Sequence, residues 1–181
     1  MSVLQLVPAI RLCRAGDADL AAIEALQYAA YAPNRVILGV EPLPLRADYR
    51  VILRDYEVWL AEMGPEGTPP VGVLVFGQPE GDGLLIWSVA VAPAAQGHGV
   101  GNKLLAFAVE TMRERGLARV TLYTGEKLVQ NVDWYKRQGF VVTGREALAD
   151  RVIVHMAKTL GLEVHPSDDD LAIANPMDYR Y

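Results

Sequence analysis

Cysteine is almost absent from this chain: Cys13 stands alone among 181 residues. A lone cysteine excludes an internal disulfide framework and fits a reducing compartment. Its place in the alternation Ile10, Arg11, Leu12, Cys13 reads as a packed strand residue rather than a reactive thiol. Histidine is scarce as well, at three. His155 has no Cys or Asp partner at ligand spacing, so it reads as a structural histidine and no metal is expected. Basic residues are outnumbered, 17 Lys and Arg against 22 Asp and Glu, for a net charge of −5. That balance argues against a nucleic-acid partner, because phosphate contacts require clustered Lys and Arg. The basic spots at 46–54, 113–119 and 136–137 are interrupted by acidic or apolar residues and read as solvated faces. Long apolar runs are missing too. The longest, 84–95, is broken by Ser88 and Pro93 and is too short to span a bilayer. Residues 1–10 lack the basic region and small-residue cleavage site of a secretory signal. The expectation is a cytoplasmic protein without a membrane segment.

What is present is globular: 51% apolar and 22% charged residues, with enough length for one domain and a buried core. No internal repeat is visible. Residues 9–14 read as a strand, and Ala15-Gly16-Asp17 as a turn with Asp17 placed to cap a helix. That helix carries Leu20, Ile23 and Leu26 on one face. Pro33, Gly39, Pro42 and Pro44 then punctuate an irregular region, followed by a short helix over 46–54. Residues 57–63 and 71–76 form an expected antiparallel hairpin across a Gly- and Pro-rich loop. A turn at Gly81-Asp82-Gly83 leads to a buried strand, 84–91, completing a meander.

The pattern then changes to helical. Residues 96–115 carry Val100, Leu104, Ala108 and Met112 on one face, and Gly116 is a stop. A strand over 119–124 follows, then a helix with Leu128, Val132 and Tyr135 in one stripe, ended by Gly139. Strands over 140–143 and 151–156 close the domain, expected to occupy 1–160, and 161–181 form a tail. The fold class is α/β (α+β) with a mixed sheet. The crossover makes 84–91 and 119–124 parallel neighbours.

The most informative segment is Val89-Ala90-Val91-Ala92-Pro93-Ala94-Ala95-Gln96-Gly97-His98-Gly99-Val100-Gly101. Three glycines on alternate positions join a buried strand to a helix. Glycine lets backbone approach a ligand, and the free N–H groups of a helix start attract phosphate. One glycine suits a structural turn, but three destabilise the start of a helix and call for another reason. The Walker spacing is absent. The dinucleotide pattern fails by one residue, although Glu126 lies near where a ribose-binding acid sits, so that reading stays open.

The segment resembles the signature of the GNAT (GCN5-related N-acetyltransferase) superfamily, Arg/Gln-x-x-Gly-x-Gly/Ala. Gln96, Gly99 and Gly101 fill it, preceded by the Val-Ala-Val-x-Pro of residues 89–93. Asn131, Trp134-Tyr135 and Gly139-Phe140 resemble the family's second CoA segment, and Arg151-Val152 with Met156 and Lys158 its closing strand. The resemblance implies an acyl-CoA N-acyltransferase fold, an antiparallel meander plus a parallel strand pair splayed at the CoA site. It implies acetyl-CoA as cosubstrate and a small-molecule or peptide amine as acceptor, attacking directly in a ternary complex. Backbone of Val89, Ala90 and Val91 would bind the pantetheine arm and polarise the thioester. The loop Gln96, Gly97, His98, Gly99, Val100, Gly101, Asn102 would hold the pyrophosphate. Asn131 would bond the pantetheine or merely cover a helix face. Tyr135 would protonate the leaving thiolate.

One part of the pattern is missing. Many relatives carry a glutamate near the middle of the CoA-binding strand, where this chain has Trp87 and Ser88. Either Glu57 or Glu126 acts through water, or the acceptor amine is weakly basic. Tyr28, Tyr31, Asn34, Arg35, Tyr49 and Tyr56 are the candidate acceptor wall. Two other classes stay in play: a catalytically silent acyl-CoA-binding module, and a nucleotide-dependent oxidoreductase built on the glycine turn. A homodimer is one further expectation, with the tail as a candidate to dock on a neighbouring subunit.

Overall fold

Seven strands form one sheet in the order β1-β2-β3-β4-β5-β7-β6 in the computed structural model, which describes residues 9–77 and 82–159. Gly81, the expected domain end at 160 and the tail 161–181 lie outside the described residues. The strands are β1 (Ile10–Arg14), β2 (Glu57–Met63), β3 (Gly72–Phe76), β4 (Gly83–Val91), β5 (Arg119–Gly125), β6 (Val141–Ala147) and β7 (Val152–Thr159). The first four form the expected antiparallel meander, and β7 inserts between β5 and β6, antiparallel to both. Only β4 and β5 run parallel.

Helices α1 (Leu20–Tyr31), α2 (Asn34–Leu38) and α3 (Tyr49–Asp55) precede β2, while α4 (Val100–Glu114) and α5 (Val129–Arg137) flank β5 in sequence. The periodicities explain the layers. Ile23, Leu26, Tyr49 and Ile52 pack on one sheet face against Val58, Leu60, Val73 and Val75. Val100, Leu104, Ala108 and Met112 cover the other face at Leu74, Phe76, Leu84, Ile86, Val120 and Leu122. Alternation along each strand places its two sets of side chains on opposite faces. β3 sits between both helix layers and is buried at every position.

Three local expectations need correction. Asp17 does not cap α1. A 3₁₀ turn (Asp17–Asp19) comes first, and the Asp19 carboxylate accepts the Gly16 N–H at 2.8 Å. The helix expected over 96–115 starts only at Val100, because Gly97 and Gly99 hold φ of +79° and +83° and a helix cannot include them. The irregular region contains α2, five residues that Gly39 ends in the left-handed conformation.

β4 contains the distortion that matters most. Its register with β3 shifts so that Val75 faces Ser88 while Phe76 faces Ile86, leaving Trp87 as the extra residue of a bulge. The bulge reverses the alternation: Leu84 and Ile86 face the α4 layer, whereas Ala90 faces the α1 and α3 layer. On its other edge β4 bonds β5 only from Gly83↔Arg119 to Ile86↔Leu122. Beyond that point β5 continues with β7, through Tyr123↔His155 to Gly125↔Ile153. The two parallel strands therefore diverge where the bulge lies.

Candidate active site

The divergence opens a cleft of about 580 Å³, walled by the second half of β4, the end of β5, the start of α4, α5 and the loop after α2. Which β4 groups face it follows from the ladder. The Ala92 N–H donates to the Val71 carbonyl at 2.9 Å. Antiparallel strands alternate bonded and non-bonded pairs, so Ala90 and Ser88 direct their N–H groups at β3. Those of Val89 and Val91 point to the opposite edge, from which β5 has departed. The Val89 carbonyl on this edge accepts the Tyr31 hydroxyl at 3.1 Å, and the Val91 carbonyl accepts Gln96 Nε2 at 3.2 Å. The two N–H groups remain as donors aimed into the cleft.

The glycine turn forms the next wall. Gln96, Gly97, Gly99, Val100, Gly101 and Asn102 all line the cleft. No side chain caps the start of α4, so its first N–H groups are available to an anion. Gly101 has a different reason to be glycine: a Cβ there would lie 3.0 Å from the Trp134 ring. Asn102 Oδ1 accepts both Trp134 Nε1 and Gln138 Nε2 at 3.2 Å, tying the first turn of α4 to α5. His98 does not line the cleft; its Nδ1 lies 3.0 Å from the Gln96 carbonyl and fastens the turn.

Asn131 and Tyr135 reach the cleft from α5. The Tyr135 ring is wedged between Trp134, at 4.8 Å between centroids, and Phe140, at 5.9 Å. It is 8% exposed, and burial raises its phenol well above the usual value near 10. The hydroxyl therefore stays protonated, and the same burial makes its proton harder to give up.

A buried polar chain runs behind the bulge. Gln27 Nε2 donates to Ser88 Oγ at 3.2 Å, Ser88 pairs with the Tyr31 hydroxyl at 3.1 Å, and Tyr31 donates to the Val89 carbonyl. Gln27 is 0% and Ser88 3% exposed. Burial, opposed by the Ser88 and Val89 bonds, raises the Tyr31 phenol. This chain fixes the Val89 carbonyl.

The carboxylates proposed as bases are elsewhere. Glu57 pairs with Arg115 at 2.7 Å and Arg14 at 2.7 Å, which hold its carboxyl below the usual range. Glu126 pairs with Arg145 at 3.0 Å. Neither lines the cleft, and among its described lining residues there is no Asp, Glu or His. Arg151 is the one fully charged group there. Of the candidate acceptor wall, Tyr31 and Asn34 line the cleft. Tyr28 stacks under Arg35 at 5.2 Å, Tyr49 donates to the Pro44 carbonyl, and Tyr56 packs on Trp87. Sequence reasoning missed Gln27 and Arg151 as site residues. His155 meets Glu146 at 3.0 Å, as a structural histidine would.

The family model described as "Acetyltransferase (GNAT) family" matches residues 23–140. The chain belongs to this family. A stretch of 63 residues, 35% of the chain, is 41% identical to a mycothiol acetyltransferase of Cellulomonas flavigena, covering 18% of that protein. The chain spans less than a third of the curated relatives it matches. Among solved structures, it is similar to the ribosomal-protein-S18-alanine N-acetyltransferase of Escherichia coli, with TM-score 0.66, 17% identity, 87% of this chain and 99% of that one covered. A Bacillus subtilis acetyltransferase in complex with CoA is similar at TM-score 0.62 and 18% identity, covering 84% and 99%. These likenesses establish the GNAT fold, with its splayed parallel pair. Among the described residues no helix is long and apolar enough to cross a membrane.

Proposed function

We propose that this GNAT-family chain is an acetyl-CoA-dependent N-acetyltransferase whose acceptor is an amine of low basicity. The observation that carries the reading is the wedge between β4 and β5, with two β4 N–H groups aimed into it and an uncapped helix start beside it. A pantetheine arm extended along β4 replaces the missing strand, taking the N–H groups of Val89 and Val91. The glycine turn and the first turn of α4 receive the pyrophosphate. Asn131 bonds the arm from the α5 side.

Transfer proceeds by attack of the amine nitrogen on the thioester carbon. As the carbonyl oxygen gains charge, the Val89 N–H, on the residue whose own carbonyl Tyr31 fixes, stabilises it. The C–S bond then breaks; Tyr135 gives its proton to the leaving sulfur and recovers one from the acylated nitrogen, so that the proton lost by the amine ends on the CoA thiol. A thiol with pKa near 8.5 needs little help, so this contribution is modest.

The cleft supplies no carboxylate or imidazole to take the amine proton, so the acceptor must arrive neutral. A lysine-like amine costs about 4–5 kcal/mol to deprotonate at pH 7, an α-amino group near 8 only about 1 kcal/mol. An α-amino group or another weakly basic amine is the acceptor class. The same absence favours one rival, a silent acyl-CoA-binding module. The oxidoreductase reading loses its ribose-binding acid, because Glu126 is paired with Arg145 and lies outside the cleft. Release of CoA thiol with a panel of amines decides between enzyme and module. The expected kcat/KM profile follows the acceptor's own pKa; an added enzyme pKa of about 5–7 contradicts the missing base.

A further inference from the structure

Across the mouth of the cleft, the loop after α2 is stitched to the turn between β6 and β7. Arg35 pairs with the Glu41 carboxylate, and the Glu41 carbonyl accepts Arg151 Nη1 at 2.9 Å. Arg151 also grips Asp150 through Nε and Nη2, at 2.8 and 2.7 Å. Its side chain is only 7% exposed, yet it lines the cleft together with Leu38, Pro42 and Leu43. A guanidinium has five N–H donors. Among the described residues three of Arg151's are engaged by these contacts, leaving two in a region otherwise walled by apolar and neutral groups.

The charge around this mouth runs against that of the whole chain, which is −5. Arg35 holds the Glu41 carboxyl low and Arg151 that of Asp150, with Arg46 a minor contributor to both, and Lys127 donates to the Leu38 carbonyl at 3.2 Å. Arg35, Arg46, Lys127 and Arg151 thus face two carboxylates, Glu41 and Asp150, while neighbouring Glu126 is taken by Arg145. Arg35 and Arg151 are each matched by a carboxylate, so the surplus is carried by Arg46 and Lys127 behind the lining; a nearly buried, rigidly held guanidinium with donors to spare in that field is suited to an anion.

We infer that the acceptor carries a carboxylate as well as its amine, set apart from it as in a short peptide, and that Arg151 receives it, a conclusion that rests on the transferase reading. The surplus positive potential also lowers the pKa of an amine bound nearby, which suits a site lacking a base. Arg151 is then a specificity-determining residue that never touches the reacting atoms.

The test compares short peptides with their C-terminal amides, by calorimetric binding to the CoA complex and separately by thiol release. Wild-type protein is expected to bind the carboxylate form about tenfold or more tighter than the amide. Arg151→Gln should bring the ratio of carboxylate to amide affinity close to one, whatever loss loosening the loop imposes on both forms, and Arg151→Lys, which keeps the charge, should restore part of the ratio. A purely structural clamp would weaken both acceptor forms alike in Arg151→Gln. That result, or equal affinities in the wild type, overturns the inference. Carboxylate preference without thiol release would uphold the Arg151 site and sink the transferase reading instead.

Discussion

Replacing Ser88 by alanine probes the buried polar chain behind the β4 bulge. Ser88 Oγ sits between the Gln27 amide at 3.2 Å and the Tyr31 hydroxyl at 3.1 Å. Gln27 is fully buried, and its side chain has no hydrogen bond among the described residues except to Ser88. In Ser88→Ala the amide keeps its desolvation penalty and loses its partner. A buried polar group left unsatisfied costs about 1–3 kcal/mol, and each kcal/mol lowers Tm by about 2–4 °C in a domain of this size. The expected fall is therefore about 2–12 °C in a thermal melt, with m-values unchanged in urea. Removing both partners, in Gln27→Leu with Ser88→Ala, should recover most of that loss, because an apolar pair leaves nothing unsatisfied. Turnover should fall modestly in the single variant as Tyr31 and the Val89 peptide loosen, with the shape of the pH profile unchanged. A melt within 1 °C of wild type (on the order of the ±0.5 kcal/mol of neutral substitutions) would refute the chain. A lost limb in the pH profile would make Ser88 part of the proton path and refute its structural role.

Other outcomes follow from the same geometry. Tyr135→Phe should lower kcat by on the order of tenfold to a hundredfold, the low end for a general acid, with acetyl-CoA affinity unchanged; wild-type kcat would remove Tyr135 from the reaction. Gly99→Ala meets no atom within 4 Å, but its φ of +83° strains an alanine. It should cost about 1–2 kcal/mol, or about 2–8 °C in Tm, and weaken CoA binding. Gly144→Ala, in open space and at ordinary φ, is the neutral control. Glu57, held below the usual value near 4.5 by Arg115 and Arg14, contributes stability that is present above that value and lost as pH falls through its lowered pKa. Glu57→Gln should flatten the acid side of the stability profile while leaving turnover intact, as expected of a residue outside the cleft.

The layers and the glycine turn were legible because each rests on local periodicity. Val100, Leu104, Ala108 and Met112 announce the buried stripe of α4, and the strand–turn–helix context gives Gly97 and Gly99 their meaning. The bulge at Trp87 was not legible, since residues 84–91 are apolar on both faces and no alternation betrays the reversal. Nor was α2, whose five residues are too few for a period. Asp17 and Asp19 both offer a cap, and only the fold decides for Asp19. The roles of Gln27 and Arg151 at the site were not legible for a different reason: their partners lie 61 and 110 residues away. The missing carboxylate was readable from Trp87 and Ser88, but excluding Glu57 and Glu126 required knowing which arginines they meet.

The central claim is that the wedge between β4 and β5 binds acetyl-CoA, and thermal unfolding with acetyl-CoA, CoA or NADPH tests it most directly. At about 100 times Kd, a ligand that binds the folded state adds about 2.7 kcal/mol, or about 5–10 °C in Tm. The account predicts such a shift with both CoA species and none with NADPH. No shift with either CoA species, or a shift with NADPH alone, would contradict it.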